Sequence, residues 1–221
     1  MPRLVAKGYN APIYATSKTI AIAKVLLRNS QAILEGEAKL LSKKYKREYK
    51  PLYTAKDVSD TIALFVPCDE AYETPMQITP EISLRLIENS HTVGSAQIEL
   101  TCKDQLRTKK VLYTSDIGHI SSENHFVDKM VLAKGYYDVV IGESTYGLNR
   151  DSRRRRKADL NLIKTTINEC ADCGGSVLFS AFSFQRTQEL LVALYTLFGQ
   201  DESFALPVIV DSQLSVDICK L

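Results

Sequence analysis

Between residues 75 and 115 the hydrophobic pattern of this chain changes period. Upstream, Ile20, Ala23, Leu26 and Leu27 recur at the spacing of one helix face, and Val58, Ile62 and Phe65 form a second stripe. Inside the window, Ile82-Ser-Leu-Arg-Leu86 and Ala96-Gln-Ile-Glu-Leu100 alternate apolar with polar residues, as half-buried strands do. Val111-Leu-Tyr113 and Val139-Val-Ile141 supply two further strands. Beyond residue 150 helical spacing returns in Leu160, Ile163, Ile167 and Cys170, and again in Leu190, Leu191, Leu194 and Leu197. Residues 176–179 and 207–210 read as short apolar strands between and after these helices. Near the start, residues 12–15 read as a strand and Ser17 as the cap of the helix that follows. A second helix is expected over 31–49, its Lys43–Arg47 stretch being mostly a solvated face, and Thr54 caps a third. A chain that switches between the two periods in this way is α/β rather than all-β. The polar run 149–157 is the expected domain boundary.

Charge is nearly balanced, 28 basic residues against 26 acidic, so any nucleic-acid site has to be local. The five cysteines are scattered and odd in number with no signal peptide before them, which predicts reduced thiols and a cytoplasmic location. No apolar run approaches the roughly 20 residues of a membrane helix. Only three histidines occur, His91, His119 and His125, which limits any metal site.

Four polar clusters fall at or just past strand ends: Ser90-His91-Thr-Val-Gly-Ser-Ala96, Thr114-Ser-Asp116-Ile-Gly118, Gly142-Glu143-Ser-Thr-Tyr-Gly147 and Val210-Asp211-Ser-Gln-Leu214. Loops at strand ends are where layered α/β folds gather ligands and metals. Imidazole and carboxylate groups suit zinc, and a carboxylate can bridge two ions. Singly, each cluster has an ordinary explanation: a structural histidine, a turn at Asp-x-Gly, a cap at Glu-Ser-Thr.

Their order is more specific, because it resembles the β-CASP branch of the metallo-β-lactamase superfamily. His91-Thr-Val-Gly-Ser-Ala resembles the family segment whose histidine is a zinc ligand. Tyr113-Thr-Ser-Asp116-Ile-Gly resembles the segment whose aspartate bridges both zincs, and Glu143-Ser-Thr-Tyr-Gly the acidic motif that opens the β-CASP region. Residues 174–191, including Gln185-Arg186-Thr187-Gln-Glu-Leu-Leu, and Asp211-Ser-Gln-Leu-Ser are similar to later family stretches. Residues 2–16 resemble the segment after the family's His-x-His-x-Asp-His motif. The chain departs from the pattern at Ser90, Ser115 and Gln185, where the family has glycine, and at Ser180 and Gln213, where it has proline. Leu148-Asn-Arg-Asp151 also replaces the usual Asp-Arg-x-His. Serine does not take positive φ as glycine does, so the backbone beside His91 and Asp116 is expected to differ.

The resemblance implies a metallo-β-lactamase αββα sandwich over residues 1–148, lacking its first strands, followed by the first part of an α/β β-CASP domain over 149–221. It implies a ribonuclease that hydrolyses phosphodiesters with two zinc ions. His91 would ligate zinc, Asp116 would bridge, and Glu143 would orient a catalytic histidine. The His-x-His-x-Asp-His motif would lie before Met1 and the β-CASP histidines after Leu221. Neither His119 nor His125 has a partner histidine at i+2, so metal binding by this chain alone is expected to be weak or absent. The implied partner is RNA, with single-stranded DNA as the other substrate the family uses, and a homodimer is the oligomer to test for. Arg153, Arg154, Arg155 and Arg156 form the densest basic cluster and are candidate phosphate contacts, as are Arg186 and Thr187 at a helix start. Cys170-Ala-Asp-Cys173 is read as helix packing beside Gly174-Gly175, and Tyr136 and Tyr137 as packing rather than base stacking. The alternative function is a catalytically degenerate protein that keeps the fold and binds RNA or a partner.

Overall fold

The computed structural model describes residues 1–118, 127, 129–145, 147, 156–201 and 204–221, with the side chains of 156–159 left aside. Two compact units divide the chain, Met1–Glu143 and Ser144–Lys220.

The first unit opens with a single helical turn, α1 (Pro2–Val5), then β1 (Ile13–Ala15), α2 (Ser17–Tyr45), α3 (Ala55–Ala63) and β2 (Phe65–Pro67). β1 and β2 pair in parallel. The two helices expected over 20–27 and 31–49 are one 29-residue helix. Arg28-Asn29-Ser30 between them holds neither glycine nor proline, so nothing interrupts the ladder. Its cap is Thr16, whose side chain accepts from the Thr19 amide. Ser17 stands one position later, where its hydroxyl and amide both donate to Asp69 (2.6 and 3.0 Å) and hold that carboxyl below its usual range. Thr54 does cap α3, in a reciprocal box with Asp57, while Phe65 leaves the helical stripe to begin β2.

A 3₁₀ turn (Asp69–Tyr72) leads into β3 (Met76–Thr79), β4 (Ile82–Glu88), β5 (Ala96–Lys103), β6 (Thr108–Tyr113) and β7 (Val139–Ile141). They form one five-stranded sheet in chain order, antiparallel except for the parallel pair β6–β7. Strand alternation sorts the faces. Leu84 and Leu86 pack with Cys68 and Ala71, flanked by Ile98 and Leu100. On the other face Gln97 and Glu99 are buried under the segment 129–138. Gln97 Nε2 donates to Val131 O (2.8 Å). Glu99 accepts from the Tyr137 hydroxyl (2.7 Å) and pairs with Lys110 (3.4 Å). Burial, with that bond to Glu99, pushes the Tyr137 phenol up to about 12. Tyr137 therefore packs as expected, whereas Tyr136 is exposed.

The second unit carries α4 (Arg156–Asp172), α5 (Arg186–Phe198) and α6 (Gln213–Cys219). The strands expected at 176–179 and 207–210 do not form. No ladder pairs these segments among the described residues, and Leu178 and Ile209 are 96% and 83% exposed. A strand exists through its neighbours, and apolar content alone does not make one. Cys170 and Cys173 lie at the end of α4, where Gly174 turns left-handed and the Gly175 amide donates to Cys170 O (2.7 Å). All five cysteines are free. Among the described residues, no helix is long and apolar enough to cross a membrane.

Candidate functional site

In the sheet β4, β6 and β7 all run the same way, since β5 between β4 and β6 is antiparallel to both. The loops leaving their C-terminal ends therefore meet at one edge. Those loops carry His91, Asp116 and Glu143, so the topology delivers three of the expected site residues together. His91 Nε2 lies 3.8 Å from Asp116 Oδ2, and both side chains are open to solvent, 37% and 72% exposed. Glu143 accepts the Ile117 amide (3.0 Å), so its carboxylate is fastened to the loop that presents Asp116.

One residue of this arrangement had no signal in the sequence. Asn89 is fully buried beneath the two loops and is hydrogen-bonded to both. Its Nδ2 donates to Ser115 Oγ (2.9 Å), Asp116 O (3.0 Å) and, at longer range, Thr114 O (3.4 Å). Its Oδ1 accepts from the His91 amide (3.2 Å) and from Ser95 Oγ, and its carbonyl accepts from the Gly118 amide (2.9 Å). The His91 loop is also held from α2. Gly94, at φ +82°, presents its carbonyl to the hydroxyls of Thr16 (2.8 Å) and Thr19 (2.9 Å).

Beside His91 and Asp116 the two serines enter the positive-φ region that serine is expected to avoid. Ser90 and Ser115 take the left-handed φ of +58° and +46°, and Gln185, the third family-glycine position, takes +66°. The left-handed region costs a non-glycine residue about 1–2 kcal/mol. At Ser115 the hydroxyl offsets part of this, because it donates to Ala96 O (2.7 Å) while accepting from Asn89. Ser90→Gly is therefore expected to raise stability by about 0.5–1 kcal/mol once the extra chain entropy of glycine is subtracted. Ser115→Gly is expected to fall about 1 kcal/mol short of that gain, by the worth of its hydrogen bonds. Urea unfolding of the two variants beside the parent chain measures the contrast.

A cleft of about 180 Å³ lies beside the His91 loop, lined by Thr16, Lys18, Asp69, Tyr72, Ser90 and Thr92 among others. It is smaller than the roughly 300–1,000 Å³ of ligand pockets, and neither His91 nor Asp116 lines it. Two donors 3.8 Å apart can share one ion, since zinc sits about 2.0–2.2 Å from nitrogen and oxygen ligands. A catalytic zinc has three protein ligands. Among the described residues no group of three or more His, Cys, Asp or Glu side chains gathers to hold a metal. Among the described residues, His91 and Asp116 thus offer two of the three donors such a site needs. His119 and His125 lie outside the described residues, as do Arg153, Arg154 and Arg155. Arg156 begins α4. Arg186 pairs with Glu189 (2.8 Å), and Thr187 donates its hydroxyl (2.9 Å) and amide (3.1 Å) to Phe182 O. Ser212 caps α6 by accepting the Ser215 amide.

No family model matches the chain. It is 30% identical over 215 residues to transcription termination factor FttA of Methanocaldococcus jannaschii, covering 97% of this chain and 31% of that protein. It is 28% identical to Integrator complex subunit 11 of Danio rerio, over 86% of this chain and 28% of that one. Against ribonuclease TTHA0252 of Thermus thermophilus it is 25% identical, over 89% and 39%. The chain spans about a third of the length of the curated relatives it matches.

Proposed function

This chain belongs to the β-CASP branch of the metallo-β-lactamase superfamily, and on that footing we propose that it carries part of the active site of a zinc-dependent ribonuclease. The observation that supports this most is the meeting of His91, Asp116 and Glu143 at one sheet edge, with His91 and Asp116 3.8 Å apart. His91 and Asp116 would hold zinc, which when bound supplies an activated water and neutralises phosphodiester charge. The protein's own part is positional. Asn89 and Gly94 fix the His91 loop, and Glu143 steadies the Asp116 loop through the Ile117 amide. In the proposal Glu143 also orients a histidine supplied by further sequence, and the remaining zinc ligands come from outside this chain. Residues 1–148 are then a metallo-β-lactamase domain and 149–221 part of a β-CASP domain. RNA is the substrate, contacted by Arg153–Arg156 with Arg186, while Thr187 gives both its donors to Phe182 O, and the setting is cytoplasmic.

The alternative, a degenerate protein that binds RNA or a partner without cutting, is favoured by one observation: Ser90 and Ser115 hold a left-handed φ beside both candidate ligands, at a cost glycine would not bear. Calorimetric zinc titration and a labelled-RNA cleavage assay separate the two readings. This chain alone is expected to bind zinc weakly and to cut poorly. A polypeptide extended upstream through a His-x-His-x-Asp-His motif, and downstream through the β-CASP histidines, should cut in a zinc-dependent way. His91→Ala or Asp116→Ala in it should cost more than the roughly 10–100-fold lost with an outer-shell partner. Zinc-dependent cutting by this chain alone would overturn the incomplete-site reading, and an inactive extended polypeptide would favour the degenerate one.

A further inference from the structure

The last turns of α2 and the segment after it concentrate positive charge. Residues 39–50 contain Lys39, Lys43, Lys44, Lys46, Arg47 and Lys50 against a single carboxylate, Glu48, although the whole chain has a net charge of only +2. All six cations are exposed. Among the described residues Lys50 makes the cluster's one ion pair, with Glu48 at 3.8 Å. A helix C-terminus attracts cations, but that effect fades within the last turn. It accounts for Lys43, Lys44, Lys46 and Arg47 around the helix end and not for Lys39 or Lys50.

The cluster is also ordered. Lys46 reverses the chain at φ +51°, and Ser42 Oγ then accepts the Tyr49 amide (2.8 Å) while donating to Ala38 O (2.8 Å). This folds the tail back along the helix. The Arg47 guanidinium lies 4.6 Å from the centre of the Tyr49 ring and donates Nε to its hydroxyl (2.8 Å). Lys44 Nζ lies 5.3 Å from the ring of Tyr45, a residue that is itself half exposed. Like charges gathered this closely repel one another, and a bound polyanion relieves that repulsion. At the other end of the same helix Thr16 and Thr19 grip Gly94, beside His91. A 29-residue helix is on the order of 40 Å long.

We propose that residues 39–50 form an anchoring surface for the phosphate backbone of RNA, at the end of α2 away from the candidate metal centre. The choice of RNA rests on the ribonuclease reading; the phosphate chemistry rests on the cluster alone. The test is binding of a labelled single-stranded 24-nucleotide RNA to this chain by fluorescence anisotropy, over a range of NaCl and with EDTA present, so that neither metal nor cleavage enters. In the combined variant Lys43→Gln, Lys44→Gln, Lys46→Gln, Arg47→Gln, the slope of log affinity against log salt should become shallower by about 0.7 for each phosphate that is no longer neutralised, a total of about 2–3. The unfolding midpoint should stay near that of the parent, because the substituted residues are surface positions. A change of slope in this variant supports the proposal even if the extended polypeptide never cuts RNA. An unchanged slope overturns it, whether RNA then depends only on Arg153–Arg156 or the surface instead binds an acidic protein.

Discussion

Asn89→Ala is expected to cost the first unit about 3–5 kcal/mol in urea unfolding, more than most single substitutions. The residue is fully buried, and its side-chain amide bonds both the loop of His91 and the loop of Asp116. Alanine removes the side-chain partners of the His91 amide and the Asp116 carbonyl, at about 1–3 kcal/mol for each group left unsatisfied. It also leaves a void where the side chain stood. The structure-preserving counterpart is Asn89→Asp, which fills the same space with the donors removed. A carboxylate there would face the oxygens of Ser115 and Asp116, so burial and those oxygens hold the introduced carboxyl's pKa above its unfolded value. With the folded pKa raised, the protonated form is the better tolerated one. Stability relative to the parent should be fullest below the unfolded carboxyl pKa, near 4, and be lost as pH rises through the folded pKa. Unfolding curves at acid and neutral pH check the sign. A pH-independent deficit would mean that cavity and packing, not the donor pattern, govern this position.

The contrast between Asn89 and its neighbours explains what the sequence could reveal here. β4 to β7 were legible because alternating or continuous apolar runs bounded by polar clusters have few other meanings. His91, Asp116 and Glu143 were legible because three weak signals fell in a specific order. Asn89 sends no such signal: an asparagine before a turn is ordinary, and its importance lies in partners 25 to 27 residues away. The left-handed serines escape a reading of the sequence for a related reason. The cost of a positive φ at serine is local, whereas the hydrogen bonds and loop contacts that impose it are not. Thr16 displaced Ser17 as the cap because tertiary partners decide between adjacent hydroxyls, Asp69 for one and Gly94 for the other. In the second unit the apolar runs at 176–179 and 207–210 carry strand composition without a strand, since pairing depends on neighbours that composition does not encode.

Gly118→Ala is expected to destabilise the chain by about 3 kcal/mol or more and to separate His91 from Asp116. A Cβ at residue 118 would lie 1.8 Å from the carbonyl oxygen of Ser90, 2.1 Å from its carbon and 2.5 Å from the His91 nitrogen. All three are backbone atoms, so no side chain can swing aside. Overpacking costs typically 1–3 kcal/mol even where neighbours can move. Here relief requires the two loops to part, which also breaks the bond from the Gly118 amide to Asn89 O. The same substitution at Gly36, inside α2, is the control. Its Cβ would meet nothing within 4 Å, so alanine should stabilise by about 0.5–1 kcal/mol through helix propensity. Opposite signs from one chemical change would tie the deficit at residue 118 to loop contact rather than to the loss of glycine. If Gly118→Ala matched Gly36→Ala, the two loops would not be in backbone contact, and the 3.8 Å approach of His91 to Asp116 would lose its structural basis. If the deficit appears, a methyl group too remote to be a ligand would govern whether two candidate ligands can face one ion.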